Sequence, residues 1–254
     1  MTWAIALGAL AVGIALGPLL DRLARWSLHD TVEVTGPGGS AKPPLSGRSA
    51  PSWRSRPWGT GLIAGVFAAA ATLAVPSPTL LPAWWALAIV AAPITRTDLA
   101  RHRIPDILNI LALAVGAVLL LIPAAFADTS GLADTTGLGD TTGFGDTTGF
   151  GDYGRAWLGA LAVSAALLGL ALIGPSGLGM GDVKLGPALG LYLGFLGWDA
   201  ILVGIAAGFV LAAVAGLAFV ARDAIARRSV SAALRRALPF GPFLLVGTLV
   251  GLAA

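Results

Sequence analysis

The sequence predicts an all-α membrane protein: a polytopic bundle of about eight transmembrane helices with both termini on the outer side. Three observations predict it. Of 254 residues, 56% are hydrophobic and only 11% are charged. A soluble domain of that length needs far more charge to cover its surface. Apolar stretches of near-membrane length recur along the chain, divided by short polar or glycine- and proline-rich breaks. When the chain is threaded back and forth through these stretches, every Lys and Arg except Arg155 falls on one side. Basic residues collect on the cytoplasmic side, so that side is read as cytoplasmic.

The elements follow in order, each needing about 20 apolar residues at about 1.5 Å per residue to cross the hydrocarbon core. The first runs from Trp3 to Leu20. No basic segment precedes it, so it reads as a span rather than a cleaved signal. A polar, Pro/Gly/Arg-rich loop, 21–58, is placed in the cytoplasm. The second span is Gly59 to Val75, and a Pro76-Ser77-Pro78 turn leads to the third, Leu80 to Ile94. Asp98, Arg101, His102 and Arg103 are expected in a tight polar turn before the fourth, Ile104 to Phe126. The fifth is Ala156 to Ile173. The sixth, Leu185 to Leu196, is short and interrupted by glycine, and needs tilt or protein cover. Gly197-Trp198-Asp199 joins it to the seventh, Ala200 to Ala221, with Asp199 as its cap. The eighth is Phe240 to Ala253.

One integral membrane domain therefore covers 1–254. Between the fourth and fifth spans lies an extracytoplasmic low-complexity insertion, 128–154. It repeats Asp-Thr-Thr-Gly from Asp134, Asp140 and Asp146. So few Gly-rich hexads cannot stack as a solenoid, and the period differs from that of calcium-binding nonapeptides. A flexible linker is the expected state. Trp84, Trp85 and Trp198 are expected as interfacial anchors. Residues 222–238 pattern as an amphipathic basic helix on the anionic leaflet, or serve only to set topology. Neither reading implies nucleic acid. The chain has no cysteine, which excludes disulfides and thiolate zinc sites, and its two histidines lack ligand spacing.

Against this apolar background two carboxylates stand out. Asp98 ends the third span and Asp182 opens the sixth, within Gly179-Met-Gly181-Asp182-Val-Lys184-Leu185. Ionisable groups at membrane spans suggest function. Both fall on the cytoplasmic side, so folding can bring them together. Two adjacent carboxylates cannot both ionise easily, and a pair sharing one proton is the chemistry of aspartic proteolysis. The glycines allow close approach of an extended peptide, or merely form a loop. Asp98 beside Arg96, Arg101 and Arg103 also reads as an exposed ion pair of little worth. Asp106 is the alternative acid, although Pro105 and Asp106 suit an ordinary helix start.

Three blocks carry a resemblance to the prepilin peptidases, intramembrane aspartic proteases of type IV pilin leaders. They are Asp98-Leu-Ala-Arg-His-Arg-Ile-Pro105-Asp106, Gly179-Met-Gly181-Asp182-Val-Lys184-Leu185 and Pro239-Phe-Gly-Pro242-Phe-Leu. The resemblance implies Asp98 and Asp182 as the catalytic pair. It implies Gly179, Gly181, Lys184, Pro105 and Asp106 as loop-shaping or substrate-binding residues, with no metal or cofactor. The substrate it implies is a prepilin-like precursor cleaved at the cytoplasmic membrane face, with pilus or type II-like secretion machinery as neighbour. Lys184 would meet the acidic residue that such substrates carry beyond the cleavage site. The loop 21–58 has no cysteine pairs, so the chain resembles the short form without zinc or methyltransferase activity. Two other classes compete: an ion- or proton-coupled transporter using Asp98 and Asp182, and a non-catalytic assembly factor.

Overall fold

The computed structural model describes residues 2–29, 58–101, 104–131, 149–173, 178–225 and 239–254. Regular structure among them is entirely helical: α1 Thr2–His29, α2 Trp58–Ala74, α3 Leu81–Arg101, α4 Asp106–Gly131, α5 Gly149–Ile173, α6 Met180–Leu196, α7 Trp198–Ile225 and α8 Gly241–Leu252. A 3-10 turn, Pro78–Leu80, leads into α3. Each expected apolar stretch falls on one of these helices. Five helical stretches are long and apolar enough to cross a membrane: Thr2–Trp26, Pro78–Arg101, Asp106–Phe126, Gly151–Ile173 and Trp198–Ile225. Gly59–Ala74 and Gly241–Leu252 are apolar but shorter, and α6 has 17 residues.

Helices run past the expected boundaries at their polar ends. The first continues through Asp21, the third through Asp98 and Arg101, and the sixth begins at Met180. Asp98 and Arg101 are thus helical rather than part of a turn. Likewise, 21–29 belongs to α1, while 128–131 and 149–154 belong to α4 and α5. A helix can carry a polar residue at its end when a neighbour satisfies the side chain. The rest of the loop 21–58, the Asp134, Asp140 and Asp146 repeats, His102, Arg103, Gly177 and 226–238 lie outside the described residues.

Two helices are enclosed by the others. In α3, Leu87, Ala88, Ala91, Ala92 and Ile94 are all buried. In α6, burial is continuous from Ala188 to Phe195. By contrast Leu7, Val118, Leu161 and Leu217 on α1, α4, α5 and α7 point outward. Such an outer apolar surface suits a hydrocarbon solvent. Trp84 is not an interfacial anchor: it is fully buried and meets Tyr192 edge-on, ring centroids 5.6 Å apart. Trp85 is half-buried, and its indole N–H donates to Thr72 at 2.9 Å. Sequence alone could not distinguish a belt position from the α3–α6 contact, because both favour aromatics.

Neighbouring helices meet through glycine. A Cβ on Gly13 would land on the backbone of Gly65, joining α1 to α2. Gly159 and Gly190 abut in the same way between α5 and α6, and Gly204 and Gly247 between α7 and α8. Small residues let helix backbones approach where lipid supplies no hydrophobic drive for association. Gly197 makes the sharp corner between α6 and α7 at φ 155°, a conformation open to glycine. Asp199 lies within the first turn of α7 rather than before it, where an acid still complements the helix N-terminus.

The far end of α6 is also closed. Arg155 Nε and Nη2 donate to the carbonyls of Gly194 and Phe195, both at 2.9 Å, and Arg155 pairs with Asp152 at 2.8 Å. These are carbonyls that a helix end leaves without helical partners. Gly13→Leu should separate α1 from α2 at a cost of about 1–3 kcal/mol. Thermal unfolding in detergent should therefore fall by several degrees. Gly8→Leu, where no atom lies within 4 Å of the added Cβ, should leave the midpoint unchanged.

Candidate active site

Asp98 and Asp182 come from the two enclosed helices. Asp98 lies in the last turns of α3 and Asp182 in the first turn of α6. A proline sits about a turn and a half from each acid, Pro93 in α3 and Pro187 in α6. Each proline removes one helical N–H from its own helix. Both acids are buried, at 5% and 6% exposure. That burial sets Asp98 apart from a solvated ion pair.

The two carboxylates converge on the first residue of α8. The Gly241 N–H donates to Oδ2 of Asp98 at 3.0 Å. A Cβ built on Gly241 would lie 3.1 Å from that same oxygen and 3.6 Å from Oδ1 of Asp182. The two oxygens can be no farther apart than those two distances laid end to end. Asp98 thereby satisfies one of the N–H groups that the start of α8 leaves unpaired. Asp182 serves its own helix, since Gly179 is the N-cap and its backbone hydrogen-bonds to the Asp182 carboxylate. This is the acid half of a capping box. Two helix N-termini thus bring partial positive charge to one pair of acids. Oδ1 of Asp182 is buried without a hydrogen-bond partner.

Gly179 has φ −71° and ψ 143°, which any residue adopts. Its glycine is explained by space, because a Cβ there would sit 3.1 Å from Oδ2 of Asp182. A Cβ on Gly181 would sit 3.3 Å from Ile104. Pro105 is buried and leads into α4. Asp106, the alternative acid, opens α4 and is largely exposed. Lys184 Nζ donates to both of its carboxylate oxygens at 2.8 Å. The structure thus brings Asp98, Asp182, Gly179 and Gly181 together, and sets Asp106 and Lys184 beside them as a separate pair.

Three participants were not read from the sequence as site residues. Gly241 lay within the quoted Pro239–Pro242 block, but nothing marked its N–H as a donor to Asp98. Ile104, buried against Gly181 and Gly241, gave only the signal of an apolar residue before a proline. Asp21 was placed in a loop, yet it is 2% exposed in α1. It pairs with Arg96 and, at 2.7 Å, with Arg25. Arg96 also donates to Thr60 of α2, so α1 and α2 are tied to the α3 turn that carries Asp98. Among the described residues no group of three or more His, Cys, Asp or Glu could hold a metal ion.

Compared with known proteins, the chain matches no family model, no curated protein and no solved structure.

The two arginines on Asp21 should differ in worth. Arg96 is 13% exposed and Arg25 62%. Arg96→Gln strips a buried carboxylate of its enclosed partner, at a cost approaching about 3–5 kcal/mol. Arg25→Gln should cost about 0–1 kcal/mol. Thermal unfolding of the two variants side by side checks the order.

Proposed function

We propose that the chain is an intramembrane aspartic endopeptidase that removes the leader of a prepilin-like precursor at the cytoplasmic face of the cell membrane. The observation that carries this reading is the meeting of two buried acids, from α3 and α6, around the Gly241 N–H. Beside the two acids lie the Gly241 N–H, the Ile104 side chain and Gly179. The three sequence blocks that resemble prepilin peptidases coincide with the three segments that build the site.

The chemistry follows from charge. Two enclosed carboxylates cannot both carry a full charge at low cost, so the pair is one titrating unit holding one proton. The ionised member takes a proton from water as the oxygen attacks the scissile carbonyl. The protonated member polarises that carbonyl and stabilises the oxyanion. Return of a proton to the amide nitrogen releases the leader. The glycines at 179 and 181 keep side chains from crowding Asp182 and Ile104. In this reading all eight helices cross or enter the bilayer, both termini lie outside, and the basic residues hold the α3–α4 and α6 ends at the cytoplasm. Lys184, engaged with Asp106, would exchange that partner for an acidic residue of the substrate.

Asp98→Asn and Asp182→Asn should each lower cleavage of a prepilin-like precursor in liposomes by about 10²–10⁴-fold. Normal cleavage by both variants overturns the proposal. Ion flux without proteolysis in the unaltered protein would instead indicate a transporter, and neither activity an assembly factor. The pH profile gives a second check. Acid protonates both carboxyls and removes the base, while alkali ionises both and removes the acid. The expected kcat/KM profile is therefore bell-shaped, and either Asn variant should lose that shape.

A further inference from the structure

The side chain of Ile104 reaches the same point at Gly241 as the two acids. A Cβ on Gly241 would meet Cδ1 of Ile104 and Oδ2 of Asp98 at the same distance, 3.1 Å. Ile104 therefore occupies the space beside the carboxylates, and its own backbone lies against Gly181. It is 6% exposed although it follows the end of α3 and precedes α4. Immediately beyond it, Pro105 fixes the chain into α4, and Asp106 is held to α6 by both oxygens on Lys184. Gly179 and Met180, at the start of α6, face outward. The acids are thus one helical turn from the surface yet enclosed.

We infer that Ile104 is a gate over the carboxylate pair, and that the Asp106–Lys184 ion pair is the latch that holds it shut. The geometry divides the work between the two parts. Ile104 fills space at Gly181 and Gly241, directly beside the acids. The latch joins the α4 start to the α6 start just outside that space, and its partners are about half exposed, at 62% and 48%. An exposed ion pair is weak and screened by salt, which suits a contact that must break. In contrast, Asp21–Arg96 is enclosed and serves to hold α1 and α3 together. That an opened gate admits a peptide rests on the peptidase reading; that the gate and latch exclude water-borne reagents does not.

The chain has no cysteine, so one engineered thiol reports on one place. Asp182→Cys puts a thiol behind the gate, and Met180→Cys puts one on the exposed face of the same helix. Both are labelled in the full-length protein in detergent with a membrane-impermeant maleimide. The Asp182→Cys thiol should react slowly relative to Met180→Cys. Adding Ile104→Ala or Lys184→Gln should each accelerate it about tenfold, with Met180→Cys unchanged in the same backgrounds. Loss of Lys184 also lowers the thiolate fraction nearby, which would slow labelling, so acceleration reports access. Raising salt should accelerate the parent and leave the Lys184→Gln background unaffected. Equal labelling of the two thiols in the parent overturns the inference, as does failure of either substitution to accelerate the reaction. The assay needs no substrate, so this outcome is read separately from the cleavage assay.

Discussion

Two like-charged groups share one enclosed space, and the fold is arranged around making that tolerable. Asp98 accepts the first N–H of α8, and Asp182 caps α6 through Gly179. Each carboxylate therefore meets the positive end of a helix. A full positive charge between two acids favours both as anions and removes any shared proton. Helix starts supply a smaller, fixed field that offsets repulsion and leaves the proton available.

That arrangement demands that three helix ends arrive at one point with little slack. Glycine seams between α1 and α2, α5 and α6, and α7 and α8 draw backbones into direct contact. They place α6 and α8 as members of tight hairpins rather than as lone rods. Asp21, Arg96 and Thr60 then tie the first three helices together beside the α3 acid. At the opposite end of α6, Arg155 closes the last carbonyls. The helix carrying Asp182 is fixed at both termini, so its first turn is a rigid mount.

The helices were legible because long apolar runs must satisfy their backbone groups internally, which a helix does. The two acids were legible because charge at the edge of an apolar run is conspicuous. What sequence could not resolve was which acids are enclosed. Asp98 stands among arginines and Asp106 beside a proline, and each had an ordinary surface explanation. The arrival of α8 helps to cover the first, while the second faces Lys184 in the open. Asp21 looked like the start of a loop, because its partner Arg96 lies on another helix. Trp84 looked like a membrane-edge residue, because Tyr192 lies far along the chain. In each case the missing information was a neighbour supplied by a distant segment, and composition carries no trace of that.

The brevity of α6 has a consequence of its own. Its 17 residues rise roughly 25 Å, less than the roughly 30 Å of a typical hydrocarbon layer. With its C-terminal end fixed by Arg155, the deficit falls at the end bearing Asp182. Because α6 is enclosed by its neighbours, other helices rather than solvent must cover the end that bears the acid, which is where α3 and α8 arrive.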